Sequence, residues 1–264
     1  MNILFVYYHK YPQLWRDGLY KAMSMAKHKI TWLNLANSEY KDDDYDCIVG
    51  WGAFGSPADL FMQEIPHQRK YLLLAGNATP VPTYANFYTG IGYETDWIKN
   101  NYLKDVKTRL VKAFGINTDI YKFTPMKKIF KYISVGSFSL WKNHNKIIKH
   151  KRFSFGDEGS YSLCVGEIQR DNMNESMGII RELLDAGVVV SDMVEPEKLN
   201  LLYNVSETAV IGADINGGGE RAVLEARACV LNVEVYNDKL RELLSGPIYN
   251  QNDYLKGLEE LWSK

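Results

Sequence analysis

The chain has 264 residues, 46% of them hydrophobic and 24% charged, enough for one large domain or two smaller ones and unlike a disordered chain or a coiled coil. The formal net charge of −1 gives no global field to draw in DNA or anionic lipid. Three cysteines, Cys47, Cys164 and Cys229, lie far apart with no CxxC or Cys/His cluster, which argues against a disulfide framework and a structural zinc site and fits a reducing compartment.

The elements follow in chain order. Ile3–Tyr8 is predicted as a buried first strand; the run is too short for a membrane span and has no basic leader, so the expected location is cytoplasmic. Leu14–Lys27 has helical spacing, with Leu19, Ala22, Met23 and Ala26 on one side. Ile30–Leu35 is a second strand, Asp42–Asp46 a solvated turn, Cys47–Gly50 a third strand and Tyr71–Ala75 a fourth. Tyr88–Tyr93 and Leu110–Phe114 complete a first set. The pattern then restarts beyond Pro125. Phe130–Val135 is a strand ending at Gly136, with a basic helix near Asn143–His150. Ser162–Val165 is a strand running into Gly166 and Glu167, and Ser176–Ala186 is a helix with Gly187 as its C-cap. Val188–Val190, Thr208–Ile211 and Asn232–Val235 are strands. Glu195–Tyr203, with Pro196 at its start, Arg221–Ala228, Asn237–Leu244 and Asp253–Trp262 are helices. Apolar strands alternating with helices predict two doubly wound α/β halves, each a parallel sheet covered on both faces.

In open α/β sheets ligands bind beyond the carboxyl ends of the strands, so the residues after each strand carry the chemistry. The strongest signal is NGGGERAVLEARAC, Asn216–Cys229, where Gly217, Gly218 and Gly219 run straight into a helix. Glycines let backbone N–H groups approach a ligand, and a helix N-terminus favours an anion, so this reads as a phosphate cradle. Arg221 in the first helical turn opposes the helix dipole, a placement that suits a cation facing a diphosphate. Glu225 lies one turn further on the same face and can accept from a ribose diol. The structural alternative is a glycine turn with an Arg221–Glu225 surface pair. The second signal is ISVGSFSLWKN, Ile133–Asn143, where Lys142 follows Gly136 by six residues and can reach a phosphate as a point charge, or be a solvated lysine. The third is LCVGEI, Leu163–Ile168, again a strand followed by glycine.

These three signals, in this order, resemble the C-terminal domain of retaining, GT-B-fold glycosyltransferases of the large family four. Its strand–Gly–loop–Lys opening, a strand–Gly element, a helix like EPEKLNLLY and a glycine turn before a VLEA-type helix all have counterparts here. The AFGINTDIYKFTP stretch, Ala113–Pro125, is similar to the family's segment before its linker, and Asp17–Gly18–Leu19 to its N-terminal glycine loop. The resemblance implies two Rossmann-like domains facing a cleft: residues 1–125 for the acceptor, 126–250 for the nucleotide sugar, and a final helix, 251–264, returning to the first domain. It implies a hexosyl- or pentosyltransferase using a UDP- or GDP-linked sugar, with retention and no required metal or cofactor. It implies that Lys142 holds the diphosphate, Glu225 the ribose, and Gly218 and Gly219 the glycine turn, with Gly136, Ser137, Gly166, Glu167, Gly217 and Glu220 completing the donor site. The family's first glutamate is Gly217 here and its usual arginine is Ser137, so Arg221 would supply the positive charge and Glu220 or Asp214 would approach the sugar.

The acceptor side is read from residues at predicted strand ends: His9, Asp17, Trp51, Asn77 and Glu94. His9 is a candidate base or hydroxyl orienter, or a loop histidine without a role. Asp17 is a second candidate, or a helix cap. Trp51 would stack on a sugar or base, or belong to the core. Nine Lys/Arg and no Asp/Glu fall between Lys122 and Arg152, either a solvated face or a basic wall for an anionic partner. Glycan, lipid-linked and modified-DNA acceptors all stay open. So do three further readings: a transferase acting on a hydroxylated base in DNA, a sugar-nucleotide epimerase, and a nucleotide-sugar- or nucleic-acid-binding module without turnover.

Overall fold

The computed structural model describes residues 1–8, 18–40, 44–76, 80–150, 161–213 and 220–263, with backbone only at His150 and Arg170. They form two compact units, one of Met1–Asn117 with Tyr249–Lys264 and one of Thr118–Ile215 with Glu220–Ile248.

The first unit is built on β1 (Asn2–Tyr7), α1 (Gly18–Met25), β2 (Lys29–Asn34), β3 (Cys47–Gly52), α2 (Pro57–Glu64), β4 (Lys70–Leu74), β5 (Gly90–Tyr93) and β6 (Arg109–Lys112). Its six-stranded parallel sheet has the order β2-β1-β3-β4-β5-β6, with Ile3 opposite Ile30 on one side and Cys47 on the other. Strands buried on both faces explain the unbroken apolar runs. Ile3, Phe5, Val49 and Tyr71 pack on one side, and Leu4, Val6, Ile48 and Leu72 on the other.

The second unit contains β7 (Phe130–Val135), β8 (Tyr161–Gly166), α3 (Met173–Asp185), β9 (Val189–Asp192), α4 (Pro196–Asn204), β10 (Ser206–Ile211), α5 (Arg221–Ala228), β11 (Asn232–Val235) and α6 (Glu242–Ser245). Its five parallel strands run β11-β10-β7-β8-β9. The stretch before β7 is tied to α4: Lys122 N donates to Asn200 Oδ1 and Thr124 N to Asn204 Oδ1. After the second unit, α7 (Gln251–Trp262) packs on α1, β5 and β6 of the first.

Several elements differ from expectation. α2 was not predicted, although Ser56 caps it by accepting from Asp59 N and Pro57 occupies its first turn. Of the predicted Leu14–Lys27 helix the described part starts at Gly18, where a Cβ would collide with the Gly115 carbonyl. β5 begins at Gly90, two residues later than expected. The basic helix expected near Asn143–His150 is instead two 3₁₀ segments, Leu140–Lys142 and His144–His150, separated by Asn143 in a left-handed conformation, φ 48°, that ends the first of them. The Asn237–Leu244 helix is a 3₁₀ turn at Asp238–Leu240 followed by α6. α3 closes with bonds from Gly187 N to Leu184 O and from Val188 N to Leu183 O, a Schellman turn about Gly187. Among the described residues no helix is long and apolar enough to cross a membrane, and the three cysteines are buried and free.

A buried carboxylate organises the exit of β3. Asp59 accepts from Gly55 N at 2.7 Å, from Tyr84 Oη at 2.6 Å and from Tyr88 Oη. Burial first, and then the Asp59 bond, pushes the Tyr84 phenol up to about 12 and raises Tyr88 as well. Tyr88→Phe removes one donor from a fully buried carboxylate and should cost about 1–3 kcal/mol in urea unfolding; a loss under about 0.5 kcal/mol would show the bond to be dispensable.

Candidate functional site

In the second unit the chain leaves β7 toward β8 and β9 on one side, then returns to β10 and β11 on the other. The switch point between β7 and β10 is where open parallel sheets leave a crevice beyond their carboxyl ends. Three glycines line these strand exits: Gly136 after β7, Gly166 ending β8 and Gly212 after β10. A Cβ at Gly212 would overlap the backbone of Lys142 and Asn143, so that glycine lets the lysine-bearing turn lie across the end of β10. A Cβ at Gly136, φ 151°, would sit 3.0 Å from Lys142 Cδ, so the lysine stem runs over that glycine.

Lys142 Nζ lies 2.5 Å from Glu220 Oε2, and the two side chains are only 12% and 9% exposed. Nζ also stands 4.4 Å from the centroid of the Trp141 ring. Glu220 is the N-cap residue of α5, yet its side chain makes no capping bond, because it reaches Lys142 instead. Arg221 follows it, half-buried, in the first turn.

One turn further, Glu225 is buried and accepts from Tyr203 Oη of α4 at 3.1 Å. Burial raises its carboxyl above the usual range, with the Arg221 charge and the Tyr203 bond working against the rise. The Tyr203 ring meets Tyr121 edge-on, centroids 6.2 Å apart. Burial also lifts both phenols, with Glu225 adding to the effect.

The loop from Gly136 to Lys142 is fixed from beneath by His144. Its Nε2 donates to Ser137 O at 2.9 Å, which leaves Nδ1 as an acceptor facing Ser134 Oγ at 2.9 Å and Cys164 Sγ at 3.2 Å. Burial, assisted by the Lys142 charge, lowers His144 to about 4, so the ring is neutral at physiological pH. Further ties come from Glu175 Oε1, which accepts from Leu140 N at 2.9 Å, and from Ser176 Oγ, which donates to Phe138 O at 2.7 Å. Glu167 stands half-buried past β8; burial and then Asp192 raise its carboxyl.

The structure thus gathers Gly136, Ser137, Lys142, Glu220, Arg221 and Glu225 around one sheet edge, with Gly166 and Glu167 at the adjoining strand. His9, Asp17, Asn77, Asp214 and Gly217–Gly219 lie outside the described residues. Trp51 is half-buried against the first unit's core, and Glu94 is half-buried past β5. Much of the basic stretch is engaged by its own unit: Lys128 donates to Asn204 O, Lys131 pairs with Glu207, Lys142 with Glu220, and Lys146 stands over Tyr236. His144, Tyr203 and Tyr121 are additions that sequence reading missed. His144 had a faint signal in its place two residues after Lys142; the tyrosines had none. Among the described residues no group of three or more His, Cys, Asp or Glu is placed to hold a metal ion.

No family model matches the chain and no curated protein matches its sequence. Solved structures do. Sucrose-phosphate synthase from Thermosynechococcus elongatus superposes with a TM-score of 0.65 at 10% identity, covering 99% of this chain and 90% of that one. A glycosyltransferase from Rickettsia africae gives 0.60 at 14% identity, over 99% and 88%. Anabaena HepE in complex with UDP-glucose gives 0.61 at 11%, over 89% and 80%. At such identities the likeness shows the fold. The chain has the two Rossmann-like parallel-sheet units of GT-B glycosyltransferases.

Proposed function

We propose that the protein is a glycosyltransferase that moves a sugar from a nucleotide-diphosphate sugar to a hydroxyl acceptor. The observation that carries this reading is the meeting of Lys142 with the first turn of α5, Glu220 to Glu225, at the β7/β10 switch point. A cation beside a helix N-terminus at a sheet crevice suits a diphosphate. HepE, which shares the fold, is described with UDP-glucose bound. Donors carrying UDP or GDP both fit the reading.

In the reaction the bond from the anomeric carbon to the diphosphate oxygen breaks and its electron pair leaves on the diphosphate. The acceptor oxygen forms the new bond to the anomeric carbon, and its proton passes to the departing diphosphate or to water. The protein's task is to stabilise the departing charge, which falls to Lys142 and Arg221 together with the N–H groups at the start of α5. With protein cations in that role, no metal is required. Retention of configuration, hexosyl or pentosyl transfer, a cytoplasmic location and an acceptor site on the first unit, with His9 and Asp17 as candidates, complete the proposal.

The direct test is calorimetric titration with UDP, GDP and their sugars, followed by an assay for slow donor hydrolysis. Binding of one nucleotide class together with hydrolysis supports a transferase. Binding without any turnover would replace it with a silent nucleotide-sugar-binding module, and no binding would remove the donor site altogether.

Glu225 gives a sharper test of the ribose assignment. Glu225→Gln removes a charge-assisted acceptor worth about 1.5–3 kcal/mol, so UDP affinity should fall at least roughly tenfold. Because burial raises the native carboxyl, the folded state binds more protons than the unfolded one just above the ordinary carboxylate range. Stability from this group is therefore present at low pH and lost as pH rises through the folded value. The glutamine variant lacks that loss and should be no less stable than the parent at neutral pH. Unchanged UDP affinity would reassign Glu225 to the core.

A further inference from the structure

The Lys142–Glu220 pair raises a question that the donor-site reading leaves open. The lysine that should receive a diphosphate already holds an anion. The pair is short, at 2.5 Å, and nearly enclosed, with side-chain exposures of 12% and 9%. Burial explains why the lysine has a partner, since an unpaired ammonium in that setting is costly. It does not explain why the partner is Glu220. That residue occupies the N-cap of α5, where a polar side chain ordinarily turns back onto first-turn N–H groups, yet it makes no such bond. It takes Lys142 instead. The Trp141 ring covers another side of Nζ at 4.4 Å, and the lysine stem lies over Gly136. One carboxylate at the start of α5 thus occupies the ammonium of the crevice and leaves the first-turn N–H groups uncapped by its side chain.

We propose that Glu220 is an internal competitor for the donor diphosphate, a carboxylate that occupies Lys142 in the unliganded chain and is exchanged for a phosphate oxygen when the donor binds. This rests on the donor-site reading above. The exchange has a definite consequence. A ligand gains Lys142 only if its own negative charge outweighs that of the carboxylate it displaces, so the pair favours diphosphates over weaker anions and leaves neutral nucleosides, which do not compete for the ammonium, unaffected. No covalent bond changes; a salt bridge within the chain is replaced by one to the ligand.

The test is UDP and GDP binding to the full chain, wild type and Glu220→Gln, by calorimetry. A carboxylate facing a diphosphate is an unfavourable like-charge juxtaposition, so Glu220→Gln should tighten the nucleotide roughly tenfold or more. The amide keeps the shape of the side chain and still offers Lys142 an acceptor. Uridine and guanosine, which carry no phosphate, should bind both forms equally, a result that a misfolded site would not give. In a Lys142→Met background the gain from Glu220→Gln should shrink to less than about threefold, because the competition runs through the ammonium. Three outcomes overturn the proposal: weaker diphosphate binding in Glu220→Gln, unchanged binding, or an equal gain with Lys142→Met. In each of these the wild type still binds the nucleotide, and the donor site stands. If neither nucleotide binds either form, the donor-site reading itself fails and takes this inference with it.

Discussion

Lys142→Ala is expected to lower kcat/KM for sugar transfer by roughly 10²–10³-fold, a loss of about 2.7–4 kcal/mol in the transition state. The magnitude follows from placement. Lys142 is the cation that the β7 exit loop delivers to the switch point, its stem laid over Gly136 and its backbone across Gly212. In the proposed reaction, charge on the departing diphosphate would develop there beside side chains that are nearly enclosed, where a fixed cation is worth more than in bulk. The substitution also strands Glu220, a carboxylate 9% exposed, so stability should fall as well. Lys142→Ala with Glu220→Gln separates the two effects: the double variant should regain stability while transfer stays low. If Lys142→Ala keeps kcat/KM within about threefold of the parent, the lysine carries no transition-state charge.

How far the sequence disclosed this arrangement depends on the distance over which each feature is decided. The strands were legible because a parallel strand buried on both faces writes itself as a short unbroken apolar run, as in Ile3–Val6 and Tyr71–Leu74. α2 escaped notice because Pro57–Glu64 carries only a short apolar stripe, although its Ser-Pro start was visible. The basic turn after β7 was misread because the left-handed backbone of Asn143 is invisible in hydrophobic periodicity. In the site, Lys142 and Glu225 stood out because glycines mark the strand exits locally. The pairing of Lys142 with Glu220 spans 78 residues and depends on β10 lying beside β7, a register that no local pattern encodes. The same holds for His144, whose three partners come from β7, β8 and the loop between β7 and the first 3₁₀ turn. It holds too for Tyr203 of α4, which meets Glu225 of α5 across 22 residues of chain.

Trp262→Ala should have the largest effect on stability, about 3–5 kcal/mol against the first unit. Trp262 closes α7, is fully buried, and joins a cluster with Ile3, Phe5, Leu19, Met23 and Tyr71. Its edge meets the His28 ring at a centroid distance of 5.8 Å, and its Nε1 donates to Glu259 Oε2 at 3.2 Å. The last carbonyls of the helix are taken by arginines at the start of two strands: Arg69, just before β4, donates from Nη2 to Trp262 O at 2.6 Å, and Arg109 of β6 donates to Leu261 O. At the other end Asn250 and Asp253 form a capping box, and Asn250 pairs with Ile116 beside it. The chain's last helix is thus both a wall of the first unit's core and a closure of its backbone accounting, so removing the indole opens a cavity that α7 cannot fill without giving up those bonds. Hydrogen exchange distinguishes this from a general loosening. Amides of β1, β4 and β5 should exchange faster in Trp262→Ala, while those of β7 and β8 in the second unit should hold their parent rates. Equal acceleration in both sheets would mean that the two units unfold as one. No acceleration at all would mean that α7 contributes little to the core it covers.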